Sequence, residues 1–142
     1  VTLHVGWGTF RPVRENDIRN HRMGSEYYEL SGQGAEELNK AKKERRRVIA
    51  VGTTTTRVLE TAGSANGIIK DGTGYTDIFI YPGYKVNVRD GLITNFHLPK
   101  STLLLLVSAF AGKELVFSAY NHAIMNQYRF FSLGDAMMLY RI

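Results

Sequence analysis

Residues 48–57 read Val48-Ile49-Ala50-Val51-Gly52-Thr53-Thr54-Thr55-Thr56-Arg57. The first four are apolar without alternation, the pattern of a short strand buried on both faces. Gly52 then allows a sharp turn, and a helix is predicted over residues 55–65. Another helix is predicted just upstream, over residues 35–47. Glu36 and Glu37 occupy its first turn and arginines its last, the order that the helix dipole favours. Helix, buried strand, glycine turn and helix in succession make an α/β pattern.

Outward from this segment the chain supplies more strands. Residues 1–5 alternate as a strand does, and Gly6 and Gly8 bracket Trp7 at its end. The chain opens in mid-strand without an initiator methionine, so it reads as truncated at the front. Residues 26–30 suggest a second short strand, and Gly63, Gly67, Gly72 and Gly74 mark a mobile loop. Strands are predicted over 76–81 and 84–88, and Asp90-Gly91 is a turn signal that would pair the latter with 92–96 in a hairpin. Pro99 and Ser101 announce a helix running to about Gly112 with Ser101 or a neighbour as its cap, and 114–128 is predicted to form another. Residues 136–140 form a final buried strand. The expectation is one unit, residues 1–142, with a three-layer α/β architecture and a mixed β-sheet flanked by helices.

The composition is that of a globular domain, 44% hydrophobic and 22% charged over 142 residues. The absence of cysteine excludes disulfides and thiolate metal sites and points towards the cytoplasm. The longest apolar run, residues 103–107, is far shorter than the roughly 20 residues of a membrane-spanning helix. The first residues lack the basic and apolar regions of a signal peptide. The net charge of +5 suggests a polyanionic partner. Lys40, Lys42, Lys43, Arg45, Arg46 and Arg47 crowd together, either as a solvated helix face or as a phosphate-contacting patch.

Two segments combine polar chemistry with a strand end. Gly52, Thr53, Thr54 and Arg57 lie where a strand meets a helix, a place where open α/β sheets bind ligands. Free amides and hydroxyls there suit a carboxylate or phosphate, unless the threonines serve only their own helix. Asn95, Phe96 and His97 precede Pro99, and His97 either exchanges protons or is a buried structural imidazole. His21 and Glu26 flank a third polar patch, while His4 lies in the first strand. The histidines at 4, 21, 97 and 122 have no metal-ligand spacing, so no metal is expected. Tyr128, Arg129 and Phe130 combine aromatic surface with a cation, as RNA-stacking sites do.

Taken together, the ordered segments resemble the carboxy-terminal part of the S-adenosylmethionine:tRNA ribosyltransferase-isomerase family. The matching stretches are Val1-Thr2-Leu3-His4-Val5-Gly6-Trp7-Gly8-Thr9-Phe10-Arg11-Pro12-Val13, residues 21–26, residues 48–60, Ile78-Phe79-Ile80-Tyr81-Pro82-Gly83, Thr94-Asn95-Phe96-His97-Leu98-Pro99 and Tyr128-Arg129-Phe130-Phe131-Ser132 with Gly134-Asp135-Ala136-Met137. The resemblance implies an upstream half and an inserted β-barrel that are absent here. It implies transfer and isomerisation of the ribosyl group of S-adenosylmethionine, a co-substrate, onto 7-aminomethyl-7-deazaguanine at the tRNA wobble position. Epoxyqueuosine is the product, and adenine and methionine leave.

That reaction needs a base at the sulfonium-activated 5′-carbon and a donor for the departing adenine. On this resemblance His97 or His4 transfers the proton, and Glu26 and Asp135 orient groups or hold the cation. Gly6, Gly8, Gly52, Thr53, Thr54, Arg57, Asn95 and Phe96 form the co-substrate site. The partners implied are tRNA and S-adenosylmethionine, with no membrane. The intact enzyme is expected to be monomeric, whereas the fragment could self-associate. Gly24 stands where the family often has a second histidine, Trp7 where a small residue is common, and Thr56 where an apolar one is. Trp7 is expected to narrow a pocket between Gly6 and Gly8. The alternative class is a non-catalytic RNA-binding domain. A methyltransferase-like Rossmann site is disfavoured, because no glycine-rich loop with an acidic residue about 20 positions downstream is present.

Overall fold

Helices and strands alternate around Gly52 as the central segment requires. The computed structural model describes residues 1–10 (backbone only for Phe10), 12–63, 66–87, 90–132 and 134–140. In chain order the elements are β1 (Thr2–Leu3), 3-10 turns at Trp7–Phe10 and Ile18–Asn20, β2 (Glu26–Leu30), α1 (Gly32–Lys43), β3 (Ile49–Val51) and α2 (Thr53–Ala62). They continue with β4 (Gly72–Thr76), β5 (Gly91–Asn95), α3 (Thr102–Ala111), α4 (Lys113–Met125) and β6 (Ala136–Tyr140). The α/β class stands, and the strands divide over two three-stranded sheets, β1-β2-β4 and β3-β5-β6. The first is antiparallel throughout. The second is mixed, with β5 parallel to β3 and antiparallel to β6. Helix α2 packs against strands of both sheets and against α3, which in turn packs on α4.

Three predicted elements changed identity, each for a non-local reason. Residues 72–74, expected in a loop, and Thr76, expected to begin a strand, belong to β4 on β2. Gly74 sits opposite Tyr28, where an added Cβ would lie 3.3 Å from the ring, so this glycine lets a tyrosine lie flat across the strand. Residues 77–81, expected in a strand, lack regular structure. Asp90-Gly91 makes no hairpin. The Asp90 amide donates to the Val48 carbonyl and its Oδ2 accepts from the Val48 amide at 2.8 Å, which fastens the start of the parallel β3–β5 pair. The ends of two predicted elements, at residues 64–65 and 88, lie outside the described residues.

Of the predicted helices α3 kept its place, whereas α1 begins at Gly32 and ends at Lys43, leaving Arg45, Arg46 and Arg47 beyond it. Ser101 Oγ accepts from the Leu104 amide at 3.1 Å and starts α3, and Ser31 Oγ does the same for α1 through Gly34. The final strand matches its predicted span. It is not buried, however: Leu139 faces the core while Met138 and Tyr140 are exposed. Strand β3 likewise has one buried face. Ala50 is 1% exposed but Val51 is 66% exposed, because β3 is an edge strand whose outer side nothing covers among the described residues. Ala50, Leu92 and Leu139 are in register on the inner face and join a core that includes Leu59, Leu106, Val107 and Phe110.

Candidate functional site

The carboxyl ends of β3 and β5 are adjacent, because the two strands run parallel. The segments leaving these ends therefore meet at one rim of the sheet. After β3, Gly52 adopts φ +90°, a conformation open to glycine at little cost, and turns the chain into α2. No side chain caps this helix. Thr55 and Thr56 donate their hydroxyls backwards, to the carbonyls of Val51 and Gly52, and so leave the first-turn amides unserved. The threonines thus do not close their own helix. After β5 comes His97, whose Nε2 lies 2.9 Å from Thr94 Oγ1 and whose backbone amide donates to the Tyr120 hydroxyl at 2.8 Å.

Between these ends lies a cavity of about 270 Å³, lined by Val5, Thr9, Gly52, Thr53, Thr54, Thr94, Asn95 and His97, with Phe131 and Ser132 on its far side. The last two belong to a loop tied down from several directions. The Phe131 amide donates to the Phe96 carbonyl, and the Asn95 side-chain amide reaches the Asp135 carbonyl at 3.3 Å. Asp135 accepts from the Arg129 amide at 2.8 Å and from its guanidinium at 3.1 Å. That guanidinium holds the Asp135 carboxyl below the usual carboxylate range. Burial pushes the His97 imidazole down to about 4, so it is neutral at neutral pH.

The residues singled out from sequence fall into three groups. Gly52, Thr53, Thr54, Asn95 and His97 line the cavity together. Gly6, Glu26 and Arg57 instead form an internal brace with Thr9. Glu26 Oε1 accepts from the Gly6 amide at 2.8 Å and from Thr9 Oγ1 at 2.7 Å, while Oε2 is ion-paired to the Arg57 guanidinium. Glu26 and Arg57 are each 3% exposed, so Arg57 faces inward rather than towards a ligand. Gly8 packs on the Gly24 backbone, where an added Cβ would stand 3.3 Å away. The third group lies outside the cavity. Phe96 is a core ring among Tyr120, Tyr128 and Phe130. Asp135 serves the loop. The exposed His4 ring lies 5.7 Å from that of Tyr27, and Val5 lines the cavity in its stead. Trp7, expected to narrow a pocket, is 92% exposed and turned outward.

Sequence reading missed Thr9 and Thr94, both buried. Both lie in stretches that resemble the family, and the Thr94 hydroxyl meets the ring of His97 three residues on. A larger cleft of about 640 Å³ lies between residues 12–18 and the start of α3, lined chiefly by Pro12, Val13, Leu104 and Leu105. None of the residues expected at the site lines it, so the smaller cavity is the candidate. Among the described residues no group of three His, Cys, Asp or Glu is placed to hold a metal. No single helix there is long and apolar enough to cross a membrane.

Known proteins are similar to this chain in sequence and fold. A relative from Thermoanaerobacter sp. (strain X514), named S-adenosylmethionine:tRNA ribosyltransferase-isomerase, is 58% identical over 98% of this chain and 41% of its own length. One of the same name from Carboxydothermus hydrogenoformans is 60% identical over the same shares. The crystal structure of an S-adenosylmethionine tRNA ribosyltransferase from Thermotoga maritima superposes with a TM-score of 0.73 at 46% identity, covering 80% of this chain and 40% of that one. The chain thus spans about two-fifths of the length of these relatives. With residues 1–139 matching the family described as queuosine biosynthesis protein, the chain belongs to that family.

Proposed function

We propose that this chain carries part of the site that transfers and isomerises the ribosyl group of S-adenosylmethionine onto 7-aminomethyl-7-deazaguanine at the tRNA wobble position. Epoxyqueuosine-tRNA forms, and adenine and methionine are released, in keeping with a cytoplasmic location. The observation that carries the reading is the meeting of Gly52–Thr54 and Thr94–His97 in one cavity across some 40 residues of chain. The uncapped start of α2 offers amides to the methionine carboxylate. A cavity of about 270 Å³ falls just below the roughly 300–1,000 Å³ usual for ligand sites, which suits a chain contributing only part of the envelope.

The state of His97 narrows its role. A general base works best with a pKa near the operating pH, and an imidazole held at about 4 is a poor match for abstracting a carbon-bound proton. A neutral imidazole is a competent hydrogen-bond donor. If the Thr94 hydroxyl donates to Nε2, the ring proton resides on Nδ1 and can be offered to a ring nitrogen of the departing adenine.

A non-catalytic RNA-binding role is the alternative. It is favoured by the exposed run of Lys43, Arg45, Arg46 and Arg47, with Arg47 5.8 Å from the Tyr140 ring centroid. Adenine release separates the two. The chain would be supplied with the remaining part of a relative, with tRNA and S-adenosylmethionine. Adenine should appear, and His97→Ala should slow it by about 100-fold or more. Near-normal turnover removes His97 from the chemistry. No adenine and no S-adenosylmethionine binding with the unaltered chain favours the RNA-only role.

A further inference from the structure

A cleft of about 300 Å³ is lined by Gly8, Arg14, Glu15, His21, Arg22 and Gly24, together with Pro12, Asn20 and Met23. Thr9 lines the candidate cavity and its neighbour Gly8 lines this cleft, so the two are adjacent along the chain. His21 is 9% exposed, and its Nδ1 lies 2.9 Å from Glu15 Oε2. Its Nε2 is buried without a hydrogen-bond partner. A buried nitrogen left unpaired costs about 1–3 kcal/mol and calls for an explanation. The ring cannot turn away from its position without cost, since Phe79 packs on it with centroids 5.0 Å apart.

The rest of the lining is cationic. Arg14 and Arg22 are exposed, and neither has a carboxylate partner among the described residues. Nearby Asp17 is already paired to Arg19 at 2.6 Å. Glu15 is the one acid in the lining, and its Oε2 is occupied by His21 and by the Arg14 amide at 3.1 Å. That carboxylate fixes the His21 ring and leaves Nε2 as the nitrogen with unused capacity. Two free guanidiniums suit a bidentate oxyanion.

We propose that this cleft is an oxyanion site, in which Arg14 and Arg22 grip the anion and His21, as the doubly protonated imidazolium with Glu15 on Nδ1, donates to it from Nε2. The anion is either a phosphate of a polynucleotide backbone or the carboxylate of an amino-acid group. The inference extends the proposed function, because an anion held here lies beside whatever occupies the neighbouring cavity. Its test can nonetheless fail alone.

Histidine ring ¹H–¹⁵N spectra of the 142-residue chain report on both places at once, with His21 marking this cleft and His97 the other. Inorganic phosphate, a short single-stranded oligoribonucleotide, free methionine and S-adenosylmethionine would be titrated separately. Phosphate and the oligonucleotide are expected to move the His21 Nε2 resonance. The exposed pair Arg14→Gln and Arg22→Gln should weaken oligonucleotide binding about tenfold. It should also lower the log–log salt slope by about 0.7 for each phosphate no longer neutralised. A His21 shift with methionine but not the oligonucleotide identifies the carboxylate as the source and upholds the site. An unmoved His21 in all four titrations overturns the proposal, as does undiminished binding, by the double glutamine variant, of whichever titrant moves His21. If S-adenosylmethionine moves His97 while none of the four titrants moves His21, this inference falls and the proposed function stands.

Discussion

At the scale of single residues, His97 shows how burial sets chemistry. Its folded pKa of about 4 lies below the ordinary histidine value of about 6.5 in the unfolded chain. Between these values the unfolded state binds the extra proton, so stability rises with pH across that window. The contribution of a neutral His97 is complete above about pH 6.5, is lost as pH falls towards 4, and changes no further below it. Urea midpoints measured from pH 4 to 7 should fall on acidification, and less steeply for His97→Gln. Parallel profiles would show that the imidazole is not held neutral by the fold. Gly134 illustrates a different constraint. An added Cβ would lie 2.7 Å from the Arg129 and Phe130 carbonyl carbons, so only glycine lets the loop carrying Phe131 and Ser132 close beside the cavity.

At the scale of elements, the brace of Glu26, Arg57, Thr9 and Gly6 joins β2 to α2 and to the first 3-10 turn. Thr102 Oγ1 extends it to α3 by donating to the Thr9 carbonyl at 3.0 Å. Arg57 keeps two buried nitrogens, Nε and Nη2, without partners, so the brace is incompletely satisfied even when intact. Removing Glu26 would leave the buried guanidinium without its counter-charge and with Thr9 Oγ1 as its one remaining partner among the described residues. Glu26→Ala is expected to cost about 3–5 kcal/mol, read from the urea unfolding midpoint. A loss below about 1 kcal/mol would contradict a structural role for the pair. From sequence, Arg57 had the look of a ligand-binding cation beside a strand end. The packing of β2 beside α2 instead gives its guanidinium Glu26 and Thr9 as partners, a juxtaposition that no reading of residues 48–57 alone could supply.

At the scale of the whole molecule, the outer face of the β3-β5-β6 sheet is apolar and open. Ile49, Val51, Met138 and Tyr140 are each more than a third exposed, and the strand register puts them on one side. Contiguous apolar surface of this kind promotes association. The chain is expected to associate in a concentration-dependent way in sedimentation experiments, and Val51→Lys with Met138→Lys should return it to a monomer. A monomer at all concentrations, before any substitution, would mean that this face is tolerated by water. The same face explains why residues 48–51 read as a strand buried on both sides. The apolar pattern is present, but among the described residues only the inner side is covered.

Local chemistry in the sequence determined the α/β class, the Ser101 cap that begins α3, the last strand and the strand–glycine–helix turn at Gly52. Such features depend on neighbours a few residues apart, so periodicity and capping chemistry encode them. The tertiary structure alone decided that the strands form two sheets, that Asp90 fastens a parallel pair, that Arg57 turns inward and that His97 is buried. Those outcomes rest on contacts between residues distant in the chain, and on a burial that displaces the pKa of an imidazole; no local pattern carries either.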